Sequence, residues 1–297
     1  MVKQRWGGDG HLALMVDTVA DLQTDGGAQF FPLYVHDTVE GGGKLSPGDS
    51  SASDDGPLFT GPDGPLFAGA AAQAGAAAPR SQAPQRRDGI TDAGLAHVRA
   101  AYPGEVITKE DIFYYVYGLL HAPEYRERYA DNLGKGLPRM PRVKHAVDFW
   151  AFSQAGRDLA DLHTGFEQVA EYPATIDGPA RPTAAQLRVE KMKLGKGKDR
   201  SVIHYNPFIT VRDIPLEAWD YVVNGKPAIG WVMDRQRVRT DKASGIVHDP
   251  NDWATETMGD PRYPLSLLLR VITVSLETVR IVASLPPLLI EGDDDPS

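Results

Sequence analysis

Lys191, Lys193, Lys196, Lys198 and Arg200 crowd one short stretch, opposed only by Glu190 and Asp199. Flexible lysines at this spacing can reach phosphate oxygens, contacts that hold a polyanion by charge and carry no base information. His204, Tyr205 and Asn206 follow closely, and imidazole, amide and guanidinium groups can hydrogen-bond base edges. A second basic group comprises Arg235, Arg237, Arg239 and Lys242, and a weaker third comprises Arg126 and Arg128 beside Tyr125 and Tyr129. A solvated loop has the same composition, so residue types alone leave phosphate contact and simple hydration as equal readings.

Other chemistries find less support. The string from Gly195 to Arg200 lacks both the spacing and the hydroxyl of a phosphate-binding Gly-x4-Gly-Lys-Ser/Thr loop. Dinucleotide-type glycine fingerprints and Gly-x-Ser-x-Gly are absent. The eight histidines form neither a His-x3-His pair nor a His-Glu-x-x-His motif, which argues against zinc. His121 and His163 fall at the ends of expected helices, where the helix dipole favours an imidazolium. Asp249-Pro-Asn-Asp252 lacks calcium-loop spacing and reads as a capped turn. Asn206-Pro207-Phe208 is similar to the Asn-Pro-Pro-Tyr/Phe of adenine methyltransferases, but the second proline is missing and no cofactor loop precedes it, so it reads as a strand break. No catalytic residue, metal ligand or cofactor is assigned.

Composition narrows the class. With no cysteine among 297 residues, disulfides and thiolate chemistry are excluded, and a reducing cytoplasm fits best. The first ten residues lack the apolar core of a secretory signal, and the best membrane candidate, Leu265 to Leu285, contains Arg270, Glu277 and Arg280. A membrane partner is therefore not expected. Residues 1–79 carry −7 and the tail acids Glu291, Asp293, Asp294 and Asp295 carry −4, so the rest of the chain stands at +2 of a total −9. An acidic whole thus permits a basic face, because polyanion binding follows local potential.

The elements that must position these groups follow from patterning. Gly, Ala, Pro and Ser supply 30 of the 48 residues from 41 to 88, too little apolar surface to offset ordering, and this stretch reads as a disordered linker. It holds Gly-Pro-Leu-Phe twice, at 56–59 and 64–67. Before it, His11 to Leu22 is an amphipathic segment and Gln29 to His36 a strand candidate, forming a piece too small to fold alone and expected to pack on a later part or on protein outside this chain. Thr108 and Asp111 form a capping box for an almost wholly apolar helix carrying Ile112, Phe113, Val116, Tyr117, Leu119 and Leu120. Pro123 opens a helix ended by Gly134, and a third follows Asp148 with Phe149, Phe152, Gly156, Leu159, Leu162 and Phe166 on one stripe.

From Leu187 the period changes. Leu187 and Val189 alternate with Arg188 and Glu190, a slip before Met192 suggests a bulge, and Gly195 to Asp199 is a loop leading to a return strand, Ser201 to Val211. Pro215 starts a helix through Trp219 and Val223, stopped by Asn224-Gly225, with further helices from Ala228 to Val238 and from Leu265 to Leu285. The expected class is α+β: a helical N-terminal half, a central β-hairpin or small antiparallel sheet, and C-terminal helices.

The run from Ile107 to Leu133 (ITKEDIFYYVYGLLHAPEYRERYADNL) resembles the C-terminal specificity region of Type ISP restriction-modification enzymes. So do Phe149 to His163 (FWAFSQAGRDLADLH), Tyr221 to Gly225 (YVVNG), Ser244 to Trp253 (SGIVHDPNDW), and upstream Phe31-Pro-Leu-Tyr34, similar to the segment leaving that family's methyltransferase core. Such enzymes join a nuclease, an ATP-driven translocase, an adenine methyltransferase and a DNA target-recognition domain. The resemblance implies four parts: residues 1–40 as the end of a methyltransferase core, 41–88 as linker, 89–290 as the target-recognition domain, and 291–297 as an acidic tail. It implies double-stranded DNA as partner, with the methyltransferase–translocase portion as a second. S-adenosylmethionine, ATP and Mg are expected only in the parent enzyme, whose catalytic motifs are missing here. Gly230 departs from the acidic residue expected before Trp231. Alternative readings are a protein-interaction module docking on a methyltransferase–translocase partner, and an inactive gene fragment.

Overall fold

The computed structural model describes residues 2–3, 13–17, 29–36, 60–61, 64–65, 86–135 and 138–292. The chain divides into two compact units, Met1–Ala160 with Leu285–Ser297, and Asp161–Ser284. Both copies of Phe in the Gly-Pro-Leu-Phe repeats, most of the expected linker and residues 293–297 lie outside the described residues.

In the first unit, β1 (Val2–Lys3) pairs antiparallel with β2 (Ala13–Leu14) and β3 (Gln29–Phe30). Pro32 cannot donate to a ladder, so the single strand expected from Gln29 to His36 breaks, and β4 (Tyr34–His36) starts anew. A two-residue pair joins β5 (Thr60–Gly61) to β6 (Gly64–Pro65), and β4 pairs with β7 (Arg86–Asp88). The strand β7 therefore takes up the last three residues of the expected linker. The N-terminal piece packs on the helices of its own unit: Ala13 and Phe31 are buried, and the Met15 amide donates to the Tyr117 hydroxyl at 3.1 Å. Ala13–Leu14 is a strand where an amphipathic segment was expected.

Thr91 caps α1 (Asp92–Ala101), and the Thr108–Asp111 box caps α2 (Lys109–His121). Burial alone would raise the Asp111 carboxyl, but hydrogen bonds from the Thr108 hydroxyl and amide and from Arg157 hold it below the usual range. The helix expected from Pro123 to Leu133 is two short ones, α3 (Pro123–Arg128) and α4 (Ala130–Lys135). The next helix, α5 (Ala146–Thr164), starts two residues before Asp148, and its residues Phe149, Phe152, Gly156 and Leu159 face inward. The α2 and α5 backbones touch: a Cβ on Gly156 would lie 1.8 Å from the Tyr114 carbonyl oxygen, and one on Gly118 would lie 2.2 Å from that of Phe152. Glycine at both positions is what permits this approach. Glu291 belongs to the fold, since its amide bonds the Arg142 carbonyl and its carboxylate meets Arg142 at 2.7 Å.

The second unit is built on a four-stranded antiparallel sheet in the order β8 (Thr175–Asp177), β11 (Thr210–Arg212), β10 (Ile203–His204), β9 (Lys193–Leu194). Ahead of β9, α6 (Ala184–Leu187) occupies part of the expected first strand. Asn224 and Gly225 both have positive φ, at 50° and 72°, and turn a hairpin between β12 (Val222–Val223) and β13 (Lys226–Pro227). The dipeptide expected to stop a helix is a hairpin turn, for which Asn-Gly is favoured because both central residues need left-handed backbone. The helix after Pro215 is correspondingly a single 3₁₀ turn, Leu216–Trp219. Then follow α7 (Ala228–Arg235), the pair β14 (Arg239–Thr240) and β15 (Val247–His248), α8 (Pro250–Glu256) and α9 (Tyr263–Ala283). Leu265, Leu268, Leu269 and Ile272 of α9 pack with Ile203, Tyr205, Val211, Trp219 and Ile229 in one core. No helix among the described residues is long and apolar enough to cross a membrane. Two units of helices with small antiparallel sheets make the α+β class expected.

Neither helix-end histidine is poised as a surface imidazolium. His121 is buried, with Nδ1 2.9 Å from the Tyr117 carbonyl. His163 has Nε2 2.9 Å from the Thr278 hydroxyl and stacks on Tyr221, and its burial pushes the imidazole down to about 4 from the ordinary 6.5. Above that ordinary value both native and unfolded imidazoles are neutral. As pH falls toward about 4 only the unfolded chain gains the proton, so stability drops by about 1.4 kcal/mol per pH unit, to roughly 3 kcal/mol. Urea midpoints measured from pH 7 to pH 5 should fall more steeply for the parent than for His163→Gln; equal slopes would remove His163 from this account.

Candidate nucleic-acid interface

The sheet of the second unit sorts its side chains by strand alternation. Register places Leu194, Ile203, Val211 and Ile176 in one cross-strand row and Lys193, His204, Thr210 and Asp177 in the next. Ile203 and Val211 are buried in the core, whereas Lys193 and His204 are exposed, so the second row faces away from the core. On it the His204 Nδ1 lies 3.1 Å from the Thr210 hydroxyl, and Arg212 pairs with Asp177.

Beyond β9 the chain forms the loop from Gly195 to Asp199. The amide of Gly195 bonds the carbonyls of both Asp199 and Val202, and Asp199 accepts from the amide and hydroxyl of Ser201. Left-handed backbone at Gly197 (φ 72°) and Lys198 (φ 66°) closes the turn. Lys196, Lys198 and Arg200 are exposed on it, at the opposite end of the sheet from Lys191. Lys191, Lys193, Lys196 and Lys198 take part in none of the ion pairs among the described residues. Nearby, Arg188, Arg212, Lys226 and Arg262 are paired with carboxylates, whereas Arg200, Arg235, Arg237 and Arg239, like the four lysines, are in no ion pair among the described residues. Arg200 lies over the Trp219 ring at 5.4 Å, and its carbonyl accepts the indole N–H.

The two larger basic groups adjoin. The Val238 amide donates to the Glu190 carbonyl at 3.0 Å, so Arg237 and Arg239 flank the point from which Lys191 departs. Arg239 is exposed on β14, and Arg235 lies over the Trp231 ring at 5.5 Å. Arg237 is half-buried, with Nε shielded and without a hydrogen-bond partner, and burial together with Arg237 and Arg235 lowers the Lys226 ammonium. The third group is in the other unit, where Arg126 Nε donates to the Leu120 carbonyl and Arg128 lies near the Tyr129 ring.

The remaining expected contact is employed otherwise. The Asn206 amide nitrogen donates to the carbonyls of Gln186 and Arg188 at 2.8 and 2.9 Å, and its oxygen accepts from the amides of Phe208 and Ile209 at 2.9 and 2.8 Å. Four bonds fill its capacity. Asn206 thus holds the β10–β11 turn. Asn251 plays a similar part, bracketing the Val189 amide and carbonyl at 2.8 and 2.9 Å, so Val189 pairs with a side chain in place of a strand. Asp249 caps α8 by accepting from the Asn251 amide and also binds Arg188, the turn expected there. Thr210 shares the row of His204, as the alternation Thr210-Val211-Arg212 requires.

A family model described as the Type ISP C-terminal specificity domain matches residues 1–267. The chain belongs to that family. This specificity domain is similar to the Type ISP restriction-modification enzyme LlaBIII, solved bound to DNA, at 30% identity and a TM-score of 0.72, covering 98% of this chain and 16% of that one. It is similar to a nuclease-deletion mutant of the Type ISP enzyme LlaGI, solved with a DNA substrate mimic, at 39% identity and a TM-score of 0.57, covering 69% and 14%. A DrdV–DNA complex aligns at 33% identity and a TM-score of 0.56, covering 69% and 21%. No curated protein sequence matches the chain. The chain therefore spans between 14% and 21% of the length of these three proteins.

Proposed function

We propose that this chain is a DNA target-recognition module of a Type ISP restriction-modification system. The observation that carries the reading is the unpaired row of Lys191, Lys193, Lys196 and Lys198 along a sheet edge. Ammonium groups with no carboxylate partner are free to replace the counterions of a phosphate backbone. His204 and Arg200 stand beside that row with groups able to address base edges. Arg237 and Arg239 extend the positive surface where the two basic groups adjoin. All three related structures were solved with DNA or a DNA substrate mimic, which supports the same partner.

In this reading residues 1–40 continue a methyltransferase core, 41–88 connect it, and 89–290 carry recognition. Cleavage, translocation and methylation, with S-adenosylmethionine, ATP and Mg, belong to the parent assembly, and this chain contributes the choice of site. Placement in the cytoplasm, where such a substrate is met, is part of the same proposal.

The test is selection of the purified chain against a random duplex pool at near-physiological salt. Enrichment of one short sequence is the expected result. Retention on an immobilised methyltransferase–translocase partner, with no duplex retained, would overturn the reading in favour of a docking module.

A further inference from the structure

Phe208 is 54% exposed at the tip of the turn joining β10 to β11. Exposed apolar residues are common singly, but an exposed side chain on a mobile tip has little to do with recognition. This tip is held from every side. Pro207 fixes its own φ, and the Phe208 amide donates to Asn206, which in turn grips Gln186 and Arg188. On the far side the Tyr205 amide bonds the Ile209 carbonyl at 3.0 Å. Gly178 lies so close that a Cβ there would come within 3.0 Å of the Phe208 carbonyl oxygen. The turn thus presents an aromatic ring on a backbone prepared in advance.

Its location matters as much as its rigidity. The antiparallel pairing of Lys193 with His204 runs β10 toward the end of β9 from which Lys191 departs, so the tip lies at that end of the sheet. A phosphate backbone following Lys196, Lys193 and Lys191 would be brought to the Phe208 ring at the end of that path. Apolar side chains delivered in this way insert between base steps, and the cost of unstacking is met by the added contacts.

We infer that Phe208 is a wedge that inserts between adjacent bases of the DNA bound along the lysine row. The inference rests on the DNA reading above and goes beyond it by assigning a mode of contact that charge does not supply. It separates from charge in two measurable ways: a wedge contributes no salt dependence, and it favours a step already weakened in stacking.

The experiment uses the full chain with two duplexes of one sequence, one fully matched and one with a single central mismatch, titrated over a range of salt. The parent should prefer the mismatched duplex. Phe208→Ala should bind the matched duplex about tenfold more weakly, lose the mismatch preference, and keep the parent salt slope. Phe208→Leu should retain most of the preference, because an apolar wedge need not be aromatic. Phe208→Ala binding both duplexes as the parent does would overturn the wedge alone. Parent chain binding neither duplex would overturn the DNA reading and the wedge with it. Circular dichroism melts of each variant should match the parent, since an exposed tip side chain supports no core.

Discussion

Replacing Lys191, Lys193, Lys196 and Lys198 together by alanine should flatten the salt dependence of duplex binding by about three to four units of slope, roughly 0.9 for each phosphate contact removed. Between about 50 and about 200 mM salt the parent should then lose on the order of a hundredfold more affinity than the variant. The loss should be the same across sequences, because these groups meet phosphates and carry no base code. All four side chains are exposed and none is in an ion pair among the described residues, so their removal leaves no buried charge and the melting temperature should hold. An unchanged salt slope would show that the row is a solvated face, the reading its composition equally allowed. The measurement is a set of fluorescence-anisotropy titrations at several salt concentrations.

The second large effect concerns stability. Gly156→Ala places a methyl group where the Tyr114 carbonyl oxygen now stands, 1.8 Å away, against rigid backbone. The helices α2 and α5 must separate, and the aromatic contacts along them, such as Tyr115 stacked on Phe149 with centroids 4.8 Å apart, loosen with them. Overpacking of this kind costs about 1–3 kcal/mol or more, while alanine in a helix recovers up to ~1 kcal/mol. Because the obstacle is a main-chain atom with no rotamer to change, the cost falls at the upper end and the net loss should be about 2 kcal/mol or more, lowering the melting temperature by at least roughly 4–8 °C. Gly230→Ala is the control. A methyl there meets only the flexible Lys226 side chain, 3.0 Å away at Cε, so it should be neutral or slightly stabilising. Equal melting temperatures for the two variants would refute the close-crossing account.

Where a signal was local, the chain declared it. The Thr108–Asp111 capping box, Pro123 at a first helical turn and the Asp249 cap are each decided within about four residues, and each stands where the spacing placed it. The lysine loop was equally legible, because charge density needs no tertiary partner to be seen. The resemblance to the Type ISP specificity region rested on whole strings of this kind.

A local pattern with two solutions was settled only by the fold. Asn224-Gly225 suits a helix end or a hairpin, and only pairing of Val222 with Pro227 chose the hairpin. Leu187 and Val189 alternate as in a strand, yet their partners are α6 and the Asn251 amide, sixty-two residues away from Val189. Asn206 has the chemistry to read a base, but distant carbonyls at Gln186 and Arg188 engage it. No spacing rule encodes such contacts, since they depend on which segments the core brings together.

The sequence by itself determined the class of fold, the helices with strong caps, the cation-rich loop and the family, because these depend on residue type and near neighbours. Only the tertiary structure decided that the four lysines stand unpaired while Arg188 and Arg212 are neutralised, that Arg237 and Arg239 adjoin Lys191, and that Asn206 supports the turn which presents Phe208. Those properties arise when strands far apart in the chain are laid side by side, and charge pairing and hydrogen-bond saturation are settled only then.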